Sequence, residues 1–261
     1  MGETANQTMD AAVLLRADAD GVVTLTLNRP TQFNALSTEL LDALQAELEK
    51  VGADATARVV VIAGAGRAFC AGHDLKQMRA NHDKAYMQAL FRQCGGVMTA
   101  ITELPQPVIA RVHGVATAAG CQLVASCDLA VAADVAKFAV SGINVGLFCS
   151  TPAVALSRNM GRKQAMEMLL TGEFIDALEA QRRGLVNRVV PGDMLDAEVK
   201  RLADGIRAKS QTAIAMGKRL FYRQLEMGLG GAYQLAAETM ACNMMTDAAA
   251  SGIDHFMNKR K

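Results

Sequence analysis

Apolar positions along the chain fall into two rhythms, and each predicts a different element. Residues 21–27 (Gly-Val-Val-Thr-Leu-Thr-Leu) alternate apolar and polar positions and predict a strand, with a shorter apolar stretch at 12–15 before it. Asn28-Arg29-Pro30 ends that strand. Leu40, Leu41, Leu44, Leu48 and Val51 then fall on one stripe of a helical repeat, with Ser37 as N-cap, Glu39 early and Lys50 late. The unbroken run Val59, Val60, Val61, Ile62 suits a strand covered on both faces, and residues 108–112 and 128–133 read the same way. Residues 85–104 predict a helix carrying Met87, Leu90, Phe91, Cys94 and Met98 at helical spacing, a methionine-rich face read as packing. Helices are also predicted over 165–170, 177–183, 195–208 and 212–227, joined at Thr171-Gly172, Gly184 and Pro191-Gly192. Pro152 is expected at the first position of a further helix capped by Ser150 or Thr151.

Two strand-to-turn junctions stand out within this pattern. The first strand runs into Gly64, Gly66 and Gly72, where the backbone must bend or approach something closely. The second, beginning at Pro107, runs into His113-Gly114 and then the small residues Ala116 to Gly120 before a helical pattern resumes. A helix starting near 118–120 would aim its free N–H groups and positive dipole end at whatever occupies the turn. Each junction offers a backbone donor, so the pair can grip one oxygen from two sides.

Composition narrows the chemistry. With 261 residues, a single catalytic domain is the default, and hydrophobic residues at 51% against charged residues at 20% point to buried subunit contacts. A net charge of +1 implies no nucleic-acid or membrane partner. The six cysteines form no C-x-x-C pair and the four histidines show no ligand spacing, so neither a metal site nor a disulfide framework is expected. Residues 1–10 are polar, lack the plan of a secretory signal, and are expected to be disordered and outside the fold. No later run is long and apolar enough for a membrane span, so a soluble intracellular protein is expected. Gly64-Ala65-Gly66 begins like a dinucleotide fingerprint but fails it, because Phe69 stands where a third glycine belongs.

Arg67-Ala-Phe-Cys-Ala-Gly-His-Asp-Leu-Lys76, the stretch from His113 to Asp128, and Asn28-Arg-Pro with Asn34-Ala-Leu36 together resemble the crotonase superfamily, the enoyl-CoA hydratase/isomerase group. The resemblance covers nearly the whole chain. Asn144-Val-Gly-Leu-Phe-Cys-Ser-Thr-Pro152 is most similar to its enoyl-CoA hydratase domain-containing protein 3 group. It implies an α/β fold, a ClpP/crotonase-like spiral of β/β/α units over 11–200, with a C-terminal helical trimerisation region over 201–261. It also implies homotrimers, commonly paired into homohexamers, in the cytoplasm or the mitochondrial matrix. By position, the oxyanion donors would be the backbone N–H groups of His73 and Ala119. Thr31, Gln32, Phe33, Ala71, His73, Asp74, Leu75 and Lys76 would lie along coenzyme A, with the Lys259-Arg260-Lys261 tail near phosphate. Coenzyme A enters as part of an acyl-CoA substrate, and no separate cofactor is implied.

One departure changes the expected reaction. Hydratases of this family use two glutamates, and the matching positions here hold Gln122 and Gly142. Glutamine can hold a water but cannot take its proton, and glycine does neither. Between 112 and 160 the only acids are Asp128 and Asp134, both at places that look structural. Three readings follow. One is a hydratase/isomerase-like enzyme that recruits another polar group, with His73, His113, Gln122, Asn144 and Cys149 as candidates. Another is a malonyl-type acyl-CoA decarboxylase, although decarboxylases of the superfamily carry tyrosine where Cys149 stands. The third is a non-catalytic acyl-CoA-binding protein. Cys149 itself is read as a buried packing thiol.

Overall fold

The chain winds as a spiral in which each turn lays one strand in a first sheet, a short strand in a second sheet, and helix outside both; the computed structural model describes residues 12–258. The expectations for residues 1–10 and for the 259–261 tail lie outside the described residues. β1 (Leu14–Ala19) and β2 (Val22–Leu27) pair antiparallel, and α1 (Thr38–Ala53) follows. Three successive turns come next. The first is β3 (Val59–Gly64), β4 (Ala68–Cys70), α2 (Leu75–Ala80) and α3 (Lys84–Glu103). The second is β5 (Val108–Val112), β6 (Val115–Thr117) and α4 (Ala119–Ser126). The third is β7 (Leu129–Ala133), β8 (Lys137–Ala139), α5 (Ser150–Asn159) and α6 (Arg162–Thr171). β9 (Ile175–Asp176), α7 (Ala177–Arg182), β10 (Arg188–Val190) and α8 (Leu195–Arg207) close the spiral, followed by α9 (Gln211–Leu225), α10 (Leu229–Met244) and α11 (Asp247–Asn258).

The two sheets have the orders β1-β2-β3-β5-β7-β10, parallel from β2 onward, and β4-β6-β8-β9, parallel through its first three strands. This is the expected β/β/α spiral. Parallel neighbours in the first sheet need a crossover, and each crossover is where a second-sheet strand and a helix fit.

Sequence periodicity accounts for the elements closely. Ser37 caps α1 by accepting the Leu40 N–H at 3.3 Å, and the five residues of the predicted stripe are the five that α1 buries. Val59 to Ile62 is buried on both faces as expected. Two details differ. α5 is capped at Cys149 rather than at Ser150 or Thr151, which puts Pro152 at the third helical position; a residue without an N–H is tolerated anywhere in a helix's first turn. In α3, Leu90, Cys94 and Met98 enter the core, but Met87 and Phe91 do not; they stay half-buried beside an open cavity.

A buried ionic cluster ties the helices after the spiral to it. Lys218 of α9 donates to Asp128 at 2.6 Å and to the carbonyls of Ile101 and Gln106 at 2.8 and 2.9 Å. Asp128 also accepts from the Val108 N–H at 2.7 Å and from the Tyr222 hydroxyl at 2.8 Å. Both charges are largely buried, so each depends on the other for its solvation. Asp128→Ala is expected to cost about 3–5 kcal/mol in urea unfolding, because it strands a buried ammonium and two further donors; a loss below about 1 kcal/mol, the range of exposed ion pairs, would show that α9 is held by other contacts.

Candidate active site

Two turns, one after β4 and one after β6, meet at the mouth of the spiral. Leu36 forms an isolated parallel bridge to His73, with the Leu36 N–H donating to the Gly72 carbonyl at 2.7 Å and the Asp74 N–H donating to Leu36 at 3.2 Å. A trans peptide points its C=O and N–H in opposite directions, so the carbonyl bond of Gly72 turns the His73 N–H away from Leu36. The same logic applies at the second turn. The Ala118 carbonyl accepts from Gln122 inside α4 at 3.0 Å, which directs the Ala119 N–H out of the helix N-terminus. Among the described residues neither amide has an acceptor.

The turns are in direct contact. Gly72 has φ +92°, and a methyl group on it would lie 2.8 Å from Ala118 Cβ and 3.2 Å from the Ala119 nitrogen. Ala118 itself takes φ +50°, a costly value for a residue with a side chain, and its N–H is pinned to the Ala139 carbonyl at 3.0 Å. His73, Ala118 and Ala119 line a cavity of about 300 Å³ together with residues of α2, α3 and the 141–152 segment. Among the described residues no Asp, Glu, Lys or Arg lines it.

The 141–149 segment explains why position 142 is glycine. Residues Ser141–Val145 form a 3-10 turn, Gly142 donates its N–H to Cys149 Sγ at 3.3 Å, and Leu147 donates back to the Gly142 carbonyl at 3.0 Å. A side chain at 142 would begin 2.5 Å from the Leu147 carbonyl oxygen and 2.7 Å from Cys149 Sγ. The sequence treats this position as a glutamate replaced. The structure adds that the turn has closed over the space a side chain would need.

The other candidates separate cleanly. The His73 ring packs edge-on against Phe91 with centroids 5.4 Å apart, its Nε2 is buried without a partner, and burial lowers its pKa to about 4. It is therefore a neutral imidazole on the cavity wall. His113 is elsewhere: its Nε2 donates to the Gly66 carbonyl at 2.8 Å and it does not line the cavity. Asn144 packs against the α6 to β9 turn, 3.4 Å from the Gly172 carbonyl, and is also outside it. Cys149 does line the cavity, but burial raises its thiol pKa and its sulfur is occupied by the Gly142 amide. Gln122 is 4% exposed, and its side-chain oxygen is buried without a partner.

Of the residues expected along coenzyme A, Thr31, Gln32, Phe33, Leu75 and Lys76 form an exposed rim, and Leu75 also lines the cavity together with Ala71 and His73. Phe33 is covered by the Arg67 guanidinium 4.3 Å above its ring. Asp74 is committed locally: it caps α2 through the Lys76 and Gln77 amides and pairs with Arg29 at 2.9 Å. Asn34 staples this rim to β4, its Nδ2 bonding the Ala65 and Ala68 carbonyls at 2.8 Å each. Phe91 and Met78 of the cavity wall were not predicted as site residues; on α3 the signal for Phe91 was only its place one position beyond the buried Leu90.

Similarity to known proteins agrees with this architecture. The sequence signature described as Enoyl-CoA hydratase/isomerase matches residues 17–261. The mouse protein named enoyl-CoA hydratase domain-containing protein 3, mitochondrial, is 46% identical over 93% of this chain and 81% of its own length. The crystal structure of an enoyl-CoA hydratase from Mycobacterium smegmatis superposes with a TM-score of 0.93 at 59% identity, covering 95% of this chain and 96% of that one. The crystal structure of human enoyl Coenzyme A hydratase domain-containing protein 3 gives a TM-score of 0.92 at 43% identity, covering 95% and 98%. With its β/β/α spiral and its paired turns, the chain belongs to the enoyl-CoA hydratase/isomerase, or crotonase, family.

Proposed function

We propose that this protein binds an acyl-CoA thioester and holds the charge of its enolate on the backbone N–H groups of His73 and Ala119. The observation that carries this reading is the pair of acceptor-free amides brought together by touching turns at the edge of one cavity. Fixed donors in a water-poor site act on charge as it develops, and a single such donor is worth about 3–4 kcal/mol in other enzymes. Thr31, Gln32, Phe33 and Lys76 offer an exposed rim for the coenzyme A portion, and Ala71 and Leu75 connect it to the cavity.

Among the described residues the cavity lining holds no acid, which speaks against hydration by a pair of carboxylates. A malonyl-type decarboxylation is the second reading, favoured by the same apolar lining. A carboxylate held there loses its hydration, the C–C bond to CO₂ breaks, its electron pair moves onto the thioester oxygen, and a proton later returns to carbon. Either way the protein acts as a homotrimer or homohexamer; α9 to α11 expose Phe221, Leu229, Tyr233 and Met245 at 57%, 75%, 72% and 85%, more apolar surface than a solvated helix layer carries. The six unpaired cysteines suit a reducing compartment, cytoplasm or mitochondrial matrix, and the vertebrate relatives are mitochondrial by name.

Three outcomes follow. In single-turnover mass spectrometry both crotonyl-CoA and methylmalonyl-CoA bind and crotonyl-CoA is not hydrated above background; rapid hydration would mean a base outside the described lining. Turnover of methylmalonyl-CoA alone would select decarboxylation, and binding without turnover would select an acyl-CoA carrier. Gly142→Ala lowers stability by about 1–3 kcal/mol in urea melts, because even one methyl group overpacks the 141–149 turn; an unchanged midpoint would show that the turn yields and that a carboxylate can be restored at 142. For His73, the unfolded ring takes up its proton near pH 6.5 and the folded one near pH 4. The stability from keeping this ring neutral is whole above about pH 6.5 and is lost as the pH falls toward 4. Ring ¹H–¹⁵N spectra should report neutral His73 throughout pH 5–8, and a midpoint near 6.5 would show that the ring is not shielded.

A further inference from the structure

The two amides of the site are not held by equal means. The Ala119 N–H sits at the start of a helix, whereas the His73 N–H lies in a loop whose shape is set by a neighbouring loop, residues 29–36. In that neighbour Phe33 and Asn34 take φ of +52° and +55°, two successive left-handed residues with side chains, a conformation that persists only where bonds over-determine it. Such bonds are present. Asn34 closes the loop on Arg29 twice, donating its N–H to the Arg29 carbonyl and accepting the Arg29 N–H on Oδ1, each at 2.9 Å. Arg29 is therefore a side chain mounted on a rigid base.

From that base the Arg29 guanidinium reaches both sides of the bridge between Leu36 and His73. Nη1 donates at 2.5 Å to the carbonyl of Ala35, the residue before Leu36, and Nη2 donates at 2.9 Å to Oδ2 of Asp74, the residue after His73. The Asp74 carboxylate is divided between two tasks, since its other oxygen caps α2. The two side chains are only 16% and 14% exposed, so the fork geometry of the pair is little loosened by water. Leu36 bonds the peptides on either side of His73, and Arg29 fixes the loop of Leu36 relative to Asp74. A carboxylate next in sequence to His73 would also oppose negative charge developing on an oxygen at its amide, and the guanidinium offsets it.

We propose that Arg29 is a positioning residue for the thioester oxygen: through Asp74 and Ala35 it sets the direction of the His73 N–H without touching the substrate. The proposal rests on the acyl-CoA reading above. Arg29 is not among the described residues that line the cavity, so its loss acts on the amide and not on the packing of an acyl group. Lysine does not replace it, because a single ammonium lacks the planar fork that spans the Ala35 carbonyl and the carboxylate.

Isotope-edited infrared spectra of crotonyl-CoA labelled with ¹³C at the thioester carbonyl test it, alongside isothermal titration with crotonyl-CoA and free CoA. On the wild-type protein the carbonyl band is expected below its frequency in water, because fixed donors in a dry site polarise it. In Arg29→Met the band returns toward its value in water. Crotonyl-CoA then binds about three- to tenfold more weakly, the worth of one neutral hydrogen bond, while free CoA stays within about twofold of wild type. Arg29→Lys behaves like Arg29→Met. Asp74→Asn keeps a capping oxygen for α2 but takes the acceptor from Arg29, and it moves the band in the same direction; the double variant Arg29→Met/Asp74→Asn is no worse than the worse single one. A wild-type band in Arg29→Met and Asp74→Asn, or equal losses for free CoA and crotonyl-CoA, overturns the positioning role and leaves the acyl-CoA reading standing. A band that does not move on the wild-type protein although crotonyl-CoA binds shows that the thioester is not at the amides, so that reading fails and the proposal with it.

Discussion

The close approach of α4 to β4 is the constraint on which the site depends. A methyl group on Gly120 would lie 2.2 Å from the Cys70 carbonyl oxygen, so any side chain there would push the helix off the strand. Because the residue is glycine, the first turn of α4 sits directly on the end of β4 and its free amide lies beside the turn that follows that strand. Cys70 contributes as packing, not chemistry: it is fully buried, and burial raises its thiol pKa to about 12. Ala118 accepts an unfavourable backbone conformation at the same junction, and the cost is borne by bonds from both neighbours, Ala118 to Ala139 and Gln122 to Ala118.

Once two amides are fixed in this way, the remaining lining decides what they can act on. Carboxylates in the cavity would supply and remove protons, but they would also draw water and place negative charge beside a developing enolate. Here the acid positions are a buried amide and a closed turn, the nearest imidazole is neutral, and Thr117 and Ser141 satisfy each other's hydroxyls at 2.9 Å. On the proposed reading, these groups leave a site that stabilises charge on one oxygen and has few side chains able to move protons. Such a site favours reactions whose difficult step is enolate formation by bond cleavage, or binding alone, over those that must activate water.

The fold was largely legible because hydrophobic period and turn glycines agree along the chain. The α1 stripe, the doubly buried β3 and the Ser37 cap are local consequences of residue type, and local rules sufficed for them. The lateral arrangement of strands into two sheets came from family resemblance, since no internal repeat marks it. What stayed hidden was three-dimensional. Met87 and Phe91 have the same periodicity as the core residues of α3, yet they line a cavity together with Val145 and Leu147 of the 141–149 turn. The exclusion of His113 and Asn144 likewise rests on partners 47 and 28 positions away in sequence, which no spacing rule reaches.

Stability and chemistry also occupy opposite ends of the same strands. β5 begins at Val108, whose amide belongs to the Asp128–Lys218 cluster, and its chain continues through β6 to the Ala119 turn. The base therefore carries buried charge, which is rigid because either ion left unpaired is costly. The opposite end carries glycines, exposed leucines and methionines, groups that tolerate displacement without leaving a charge or donor unsatisfied. In parallel α/β sheets ligands bind beyond the carboxyl ends of the strands, and this chain gives that rule an energetic reason. The turns that carry the two amides follow β4 and β6, while the cavity wall made of α2, the first turns of α3 and the 3-10 turn shares nothing with the ionic cluster.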